Sequence, residues 1–542
     1  MTGRIAVIGA GASGLAAIKT CLEEEFQPVC YERSAHLGGL WYYSDDDPRS
    51  DPRGPGAVYH GLHTNISKAL MAYSDFPFAK DLPPFPKGAD VYKYYQRYAE
   101  HFRLLKHINF NVEVVSIDKD PDYESTGRWK VTVRPISGEI RSEVFDAVMV
   151  CTGLYPSGHL PDYPGLDSFK GQIMHSCQFK RGAYFTGKRI LVVGSSISGG
   201  DVSNLLSHHA DQVFLSLRHG AWCLPRFFYN KQSVVDFFSQ RWKTWIPPRL
   251  LMNWLVNKLN YDMDGKILGL QHSKGPFNIH CMVNEGIPTS IMEGRIRIRS
   301  GIDRFEGSSV HFVDGSMIED IDFVIFATGY ELKFPFFKKD IIPDGYDKIE
   351  LYRYMFPLRL RHPTLSFVGM CLPFTIGFNS FGEMQTRYIT KVFKGEVKLP
   401  NFKEMQQEIM TTKFLNYRQF ENHFPFSVNP VAYLDQLAKA IGALPSLTKL
   451  IFTDPVLAYH FYFGVAYPPC HRLVGPGATP GARQALIDCK ENQVHGITLT
   501  TVRKDAKDCL RAYEDYQRSF VTIYVTMAIG VILSLIVYMI IF

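Results

Sequence analysis

The chain has 542 residues, 46% hydrophobic and 21% charged, with 59 Lys and Arg against 53 Asp and Glu for a net charge of +6. This composition excludes a disordered, collagenous or wholly membrane-embedded chain, and the length accommodates two to four domains of roughly 100–200 residues each. The surplus of positive charge is mild and unclustered, which speaks against nucleic acid as partner, and ten cysteines without a CxxC speak against a disulfide framework, a cysteine-rich zinc site or a dithiol centre; no metal site is expected.

The N-terminal residues lack the ordered n-region, h-region and cleavage site of a secretory signal. They read as a buried strand, Ile5 to Ile8, then the loop Gly9-Ala10-Gly11-Ala12-Ser13-Gly14, then a helix through Leu22. In such a loop the first glycine allows a tight turn and the second lets backbone approach a pyrophosphate. The third lets the helix pack closely on the strand, with its N-terminus facing the phosphates. A second strand, Pro28 to Glu32, ends in an acid 18 residues after Gly14, where a carboxylate accepts from ribose hydroxyls.

The pattern recurs. The strand Arg189 to Val193 leads into Gly194-Ser195-Ser196-Ile197-Ser198-Gly199-Gly200-Asp201 and a helix, and the strand Val213 to Leu217 ends in Arg218, 19 residues after Gly199. An arginine at the ribose position suits a 2′-phosphate, so the second site is expected to take NADP(H). Ser196 stands where the first loop has Gly11. Two accommodations are open: its hydroxyl donates to the cofactor, or the cofactor sits further out. Both halves close on an apolar strand ending in Thr-Gly, at Thr152-Gly153 and Thr328-Gly329. The expected fold is therefore α/β, with two Rossmann-like dinucleotide-binding domains. An acid at one site and an arginine at the other imply two different dinucleotides, and FAD with NADPH is the economical pair.

Between Pro225 and Pro288, aromatic and aliphatic residues such as Phe227, Phe237, Trp242, Trp245 and Trp254 alternate with Arg226, Lys231, Arg241, Lys243 and Arg249. This stretch reads either as a membrane-lying or substrate-channel insertion or as a plain helical subdomain. Phe520 to Phe542 is a run of 23 residues without a charge. At 1.5 Å per residue it makes a helix of about 35 Å, long enough to cross a bilayer as a C-terminal transmembrane anchor. The body would then stay cytosolic, and the sequon Asn65-Ile66-Ser67 would escape glycosylation.

The segment Phe169-Lys-Gly171-Gln-Ile-Met-His175-Ser-Cys-Gln-Phe179, just ahead of the second glycine loop, matches the FxGxxxHxxx(Y/F) signature of flavin-containing monooxygenases. Glu32 to Trp41, Met71 to Phe78, Phe326 to Tyr330, Phe452 to Pro455 and Gly464 to Ala482 resemble the same family, so the resemblance spans nearly the whole chain. It implies that Gly9, Ala10, Gly11, Ala12, Ser13, Gly14, Glu32, Leu40 and Trp41 line FAD. Thr64 and Asn65 resemble the pair between flavin and nicotinamide, with Asn65 as the catalytic side chain. Gly194, Ser196, Ser198, Gly199, Gly200, Asp201 and Arg218 would hold NADPH, and Gln385 resembles a residue near both cofactors. His175 and Phe179 are expected to be structural, and Asp75 and Tyr330 to serve packing.

The implied division is residues 1–160 for the first part of the FAD domain and 161–330 for the NADP domain, with its insertion at about 226–288. Residues 331–450 would complete the FAD domain, 451–518 would lie near the membrane, and 520–542 would form the anchor in the endoplasmic reticulum. The implied activity is oxygenation of small lipophilic amines or sulfides by NADPH and O2 through a flavin C4a-hydroperoxide, with membrane lipid as a contact and an oligomer compatible with the sequence. A Baeyer–Villiger enzyme acting on ketones shares the scaffold but carries Trp where this chain has Phe179. A disulfide reductase would need a cysteine pair, and a silent, anchored nucleotide-binding protein is the non-enzymatic alternative.

Overall fold

The computed structural model describes residues 3–498 apart from 45–57, 228–232, 263, 273, 277–280, 344, 346–347, 374 and 421–425. The expected anchor at 520–542 lies outside the described residues, and among these no helix is long and apolar enough to cross a membrane.

Two five-stranded parallel sheets organise the chain. The first runs Leu365–Phe367, Ala147–Val150, Arg4–Ile8, Gln27–Tyr31, Ile108–Asn109. The second runs Ile296–Arg299, Gln212–Ser216, Arg189–Val193, Phe323–Phe326, Gln172–His175. Their central strands, IAVI and ILVV, are buried throughout, as expected of apolar runs covered on both faces. Burying each Val, Leu or Ile side chain of these strands contributes about 1.5–3 kcal/mol.

In both sheets the strand that feeds the glycine loop is the middle one. The next strand in sequence pairs on one side and the strand that closes the half on the other, so the chain reverses direction of progress at the loop. Such a switch point leaves a crevice beyond the carboxyl ends of the strands, where nucleotides bind. Each closing strand is preceded by a three-stranded antiparallel sheet, Val112–Lys119, Trp129–Pro135 and Arg141–Phe145 in the first case. Ile302–Glu306, Ser309–Phe312 and Met317–Ile318 form its counterpart.

The strand Leu365–Phe367 joins the first sheet from beyond residue 330, and the first core accordingly contains both Ile5 to Leu154 and Leu332 to Leu486. The segments leaving the two Thr-Gly ends pair with each other, Ser157–Gly158 against Tyr330–Glu331. The stretch from Pro225 to Pro288 forms the helices Val234–Phe238 and Pro248–Asp262 and a 3-10 turn, Arg241–Trp245, over a small core of Leu224, Val234, Leu255, Leu259 and Cys281. Two of its cations turn inward: Arg241 forms two 2.8 Å bonds with Asp435, and Lys243 donates to the Phe237 carbonyl.

Candidate functional site: two glycine loops and a polar chain

The two loops have the same construction. Gly9 and Gly194 take φ of +102° and +137°, a region L side chains rarely adopt. A Cβ on Gly14 would lie 1.9 Å from the Gly9 carbonyl oxygen, and one on Gly199 would lie 2.1 Å from that of Gly194. The third glycine is therefore required by the turn itself. Helices Ala12–Glu23 and Ile197–Leu206 follow, each with an N-cap residue whose side chain makes no cap bond, which leaves their first N–H groups for an anion.

A Cβ on Gly11 would meet only Gly39, at 3.7 Å, so the space that this glycine keeps clear is space for a ligand rather than for protein. Ser196 occupies the matching N-cap with φ −105° and ψ −172°, beside −77° and −168° for Gly11. Both are extended conformations open to any residue, so the serine costs the second loop nothing in backbone energy.

Glu32 directly follows the strand Gln27–Tyr31 and is 8% exposed. Its Oε2 accepts from Ala10 N at 2.8 Å, and its Oε1 accepts from the Ser34 amide and hydroxyl. It thus ties the strand end to the glycine loop while keeping lone pairs for a ribose. Gly38 N donates to Ala10 O, which brings Leu40 and Trp41, both partly exposed, beside that loop. Arg218 lies one position beyond Leu217, the register counterpart of Glu32; it is exposed against Gly301 and makes no hydrogen bond or ion pair among the described residues. An unused cation there fits a 2′-phosphate.

Thr64 and Asn65 sit on the turn just ahead of the helix Lys68–Met71. The Thr64 hydroxyl is buried and has no hydrogen-bond partner among the described residues. Such an orphaned group is expected of a site that closes on a polar ligand. Asn65 Oδ1 accepts from Arg226 Nη2 at 2.9 Å, and Arg226 Nε donates to the Thr64 carbonyl. Arginine has no acceptor, so the amide oxygen must face it and Asn65 Nδ2 must face away.

Arg226 in turn pairs with Glu285 at 2.7 Å, and the neighbouring Asn284 donates to Asp201 Oδ1 at 2.8 Å. Asp201 Oδ2 accepts from Tyr59 at 2.6 Å. Burial pushes the Asp201 carboxyl up and the Tyr59 phenol well up. A polar chain therefore runs from the second glycine helix, through Asn284, Glu285 and Arg226, to the turn that carries Asn65.

Several residues singled out in the sequence take supporting positions. Gln385 is fully buried, accepts from Gly369 N at 2.7 Å and donates to Tyr433. It reaches the first loop through Gly369, where an added Cβ would lie 2.6 Å from Ser13 Oγ. Asp201 has both carboxylate oxygens engaged by protein, whereas Ser196 and Ser198 stay partly exposed at the loop mouth. His175 Nδ1 accepts from Cys177 N, so Nε2 carries the proton and donates to the Gly329 carbonyl at 2.9 Å. Burial lowers this imidazole's pKa and keeps it neutral. Phe179 packs edge-on to Tyr59. Asp75 sits in an ion cluster with Arg472 and with Lys19 of the first glycine helix.

Sequence reasoning missed Tyr59, Asn284 and Glu285. It met Arg226 only as one cation among aromatics, with no local signal to set it apart.

The model of the flavin-binding monooxygenase-like family matches residues 2–536. The chain is 36% identical to flavin-containing monooxygenase 5 of Rattus norvegicus over 511 residues, 93% of this chain and 95% of the relative. It is 40% identical to the N-oxide-forming dimethylaniline monooxygenase 4 of Homo sapiens over 503 residues, covering 90% and 87% of the two chains. Among solved structures its fold is similar to S-allyl-L-cysteine S-oxygenase from Allium sativum, with a TM-score of 0.62, 23% identity and coverage of 91% and 99%. It is also similar to NADP+-bound cyclohexanone monooxygenase from Rhodococcus, with a TM-score of 0.59, 16% identity and coverage of 81% and 97%.

Proposed function

This chain belongs to the flavin-containing monooxygenase family, and from that premise we propose which reaction it runs and which residues support it. It is an oxidoreductase that uses FAD and NADPH. In the proposed reaction it oxygenates soft nitrogen or sulfur atoms of small lipophilic amines or sulfides, and Asn65 is the central side chain. The observation that carries this reading is the polar chain from Asp201 to Asn65, because it ties the second glycine helix to the turn on which the Asn65 amide is oriented. Phe179 at the end of the signature, and relatives named for N-oxide formation and S-oxygenation, support nitrogen and sulfur over ketones.

When bound, NADPH supplies a hydride and FAD the two-electron chemistry with O2. The remaining work falls to the chain's own residues. Gly11 leaves room for the FAD pyrophosphate, and Glu32 presents carboxylate lone pairs to its ribose. Arg218 reads the 2′-phosphate of NADPH. Arg226 turns the Asn65 amide so that Nδ2 donates into the crevice, and Thr64 Oγ1 offers a second polar contact there. No side chain needs to act as a general base on a soft nucleophile, and selectivity then follows from access.

Residues 520–542 are proposed to anchor the protein in the endoplasmic reticulum with the body cytosolic. Exposed Trp245 and Phe452 would add a contact with membrane lipid.

The test is a product screen by mass spectrometry with purified enzyme, NADPH, O2 and a panel of tertiary amines, sulfides and ketones. N-oxides or S-oxides support the proposal, and esters or lactones would move the chain to Baeyer–Villiger chemistry. A protein that binds flavin yet does not oxidise NADPH would be the silent nucleotide binder.

A further inference from the structure

Asp236 lies on the short helix Val234–Phe238 of the insertion and is 3% exposed. Its Oδ1 accepts from Ser67 Oγ at 2.9 Å and its Oδ2 from Tyr467 Oη at 3.1 Å. Tyr467 Oη also lies 3.0 Å from Gln493 Oε1. A phenol has one proton, so the Gln493 amide must turn an N–H into this group, which allows it to bond the carboxylate as well. Four stretches therefore meet around one carboxylate: the turn holding Asn65, the insertion, the segment of Tyr467, and the C-terminal helix Ala482–Thr498.

The hydrogen-bond partners of this carboxylate are hydroxyls and amides rather than a cation. Burial accordingly pushes its pKa up, and the hydrogen bonds pull in the other direction. A buried carboxylate of this kind is no gain in stability over a well-packed apolar residue, so its use is to fix geometry. Ser67 transmits that geometry. Its hydroxyl donates to Asp236 and accepts from Leu70 N, capping the helix Lys68–Met71 two residues after Asn65. Arg226 holds the other side of the same turn.

We propose that Asp236 is a positioning residue for oxygen transfer: it fixes the turn from Thr64 to Ser67 and, through Tyr467 and Gln493, makes the C-terminal helix part of the active-site support. The proposal rests on the reading of Asn65 as the side chain between flavin and nicotinamide. Loosening the far end of the relay is then felt at the crevice as poorer coupling, with NADPH binding and flavin content unaffected.

The experiment uses full-length, flavin-loaded enzyme carrying Asp236→Asn, Ser67→Ala, Ser67→Thr, Gln493→Leu or Asn65→Ala. Product and hydrogen peroxide are measured per NADPH consumed, together with the KM for NADPH, flavin content and thermal midpoint. Gln493→Leu and Ser67→Ala should each lower product per NADPH by about two- to tenfold, the worth of one neutral buried hydrogen bond. Ser67→Thr should restore it, and the double variant Ser67→Ala with Gln493→Leu should be no worse than the worse single one, since both act on one path. A merely structural role would move the thermal midpoint and leave the coupling ratio alone.

The proposal is overturned if Asn65→Ala uncouples while the Gln493 and Ser67 variants keep the wild-type ratio. If Asn65→Ala is itself fully coupled, the reading of Asn65 fails separately, and the relay stands only if Gln493→Leu still uncouples. Should Asp236→Asn fail to accumulate, the Ser67 and Gln493 variants, which retain the carboxylate, decide.

Discussion

Replacing Arg226 with Met tests whether the Asn65 amide is oriented by protein. The change keeps an unbranched side chain of similar reach but removes the donors to Asn65 Oδ1 at 2.9 Å and to the Thr64 carbonyl at 3.2 Å. The pair with Glu285 goes too, but that carboxylate is 49% exposed, so its loss costs about 0–1 kcal/mol. A hydrogen bond from a charged donor is worth about 1.5–3 kcal/mol. The bond to Asn65 is the one that sets which way the amide faces, so this range sets the expected defect. It corresponds to about a ten- to hundredfold loss in the rate of oxygenated product. The assay follows NADPH at 340 nm alongside product and peroxide. Flavin reduction by NADPH should persist and peroxide should replace product, while Arg226→Lys, a point charge without the planar fork, should recover only part of the loss. Unchanged product per NADPH in Arg226→Met, with Asn65→Ala strongly uncoupled, would refute the argument that Arg226 sets the amide.

Arg218→Ala should narrow the preference for NADPH over NADH by about ten- to a hundredfold, because a charge-assisted contact to the 2′-phosphate is lost; an unchanged ratio of KM values would assign that phosphate to another cation. Gly14→Ala would drive its Cβ to within 1.9 Å of the Gly9 carbonyl, so the purified variant should lose its flavin absorbance; full flavin content would mean that the loop can open without cost. Burial lowers the Lys243 ammonium to about 7, so the unfolded chain holds this proton up to a pH near 10 and the folded chain releases it earlier. Wild-type stability from this group therefore falls as pH drops from about 10 through about 7, and the thermal midpoint of Lys243→Met should gain on wild type over that window; a difference independent of pH would refute the assignment. A chain ending after Arg518 should be released from membranes by alkaline carbonate while the full-length chain stays in the pellet, and release of both would remove the proposed anchor.

The parts legible in the sequence are those whose physical demand is local. A glycine loop must bring positive φ and a missing Cβ to fixed places within six residues, so Gly9 and Gly14, and again Gly194 and Gly199, announce the turn wherever the chain goes next. A strand covered on both faces must be apolar throughout, which made Ile5 to Ile8 and Ile190 to Val193 readable as strands, while their central place in two sheets came from the structure. The strand after each loop ends near the same crevice, so Glu32 and Arg218 could be compared without coordinates, but the register sets Leu217 opposite Glu32 and Arg218 one position beyond it.

Local pattern also ran out in identifiable places. At Ser196 the sequence left two accommodations open. The extended backbone it shares with Gly11 shows that the serine itself is unstrained, a fact no spacing contains. Arg226 is 161 positions from Asn65, and Asp236 is 169 from Ser67. A cation or an acid in a stretch rich in aromatics looks the same whether it faces lipid, water or a buried carbonyl. Arg241 and Lys243 belong to that same run and turn into the protein. Periodicity reports which face of an element is apolar. Which partner meets a charged side chain depends on how distant stretches cross, so the polar chain to Asn65 and the carboxylate behind its turn were decided by tertiary structure alone.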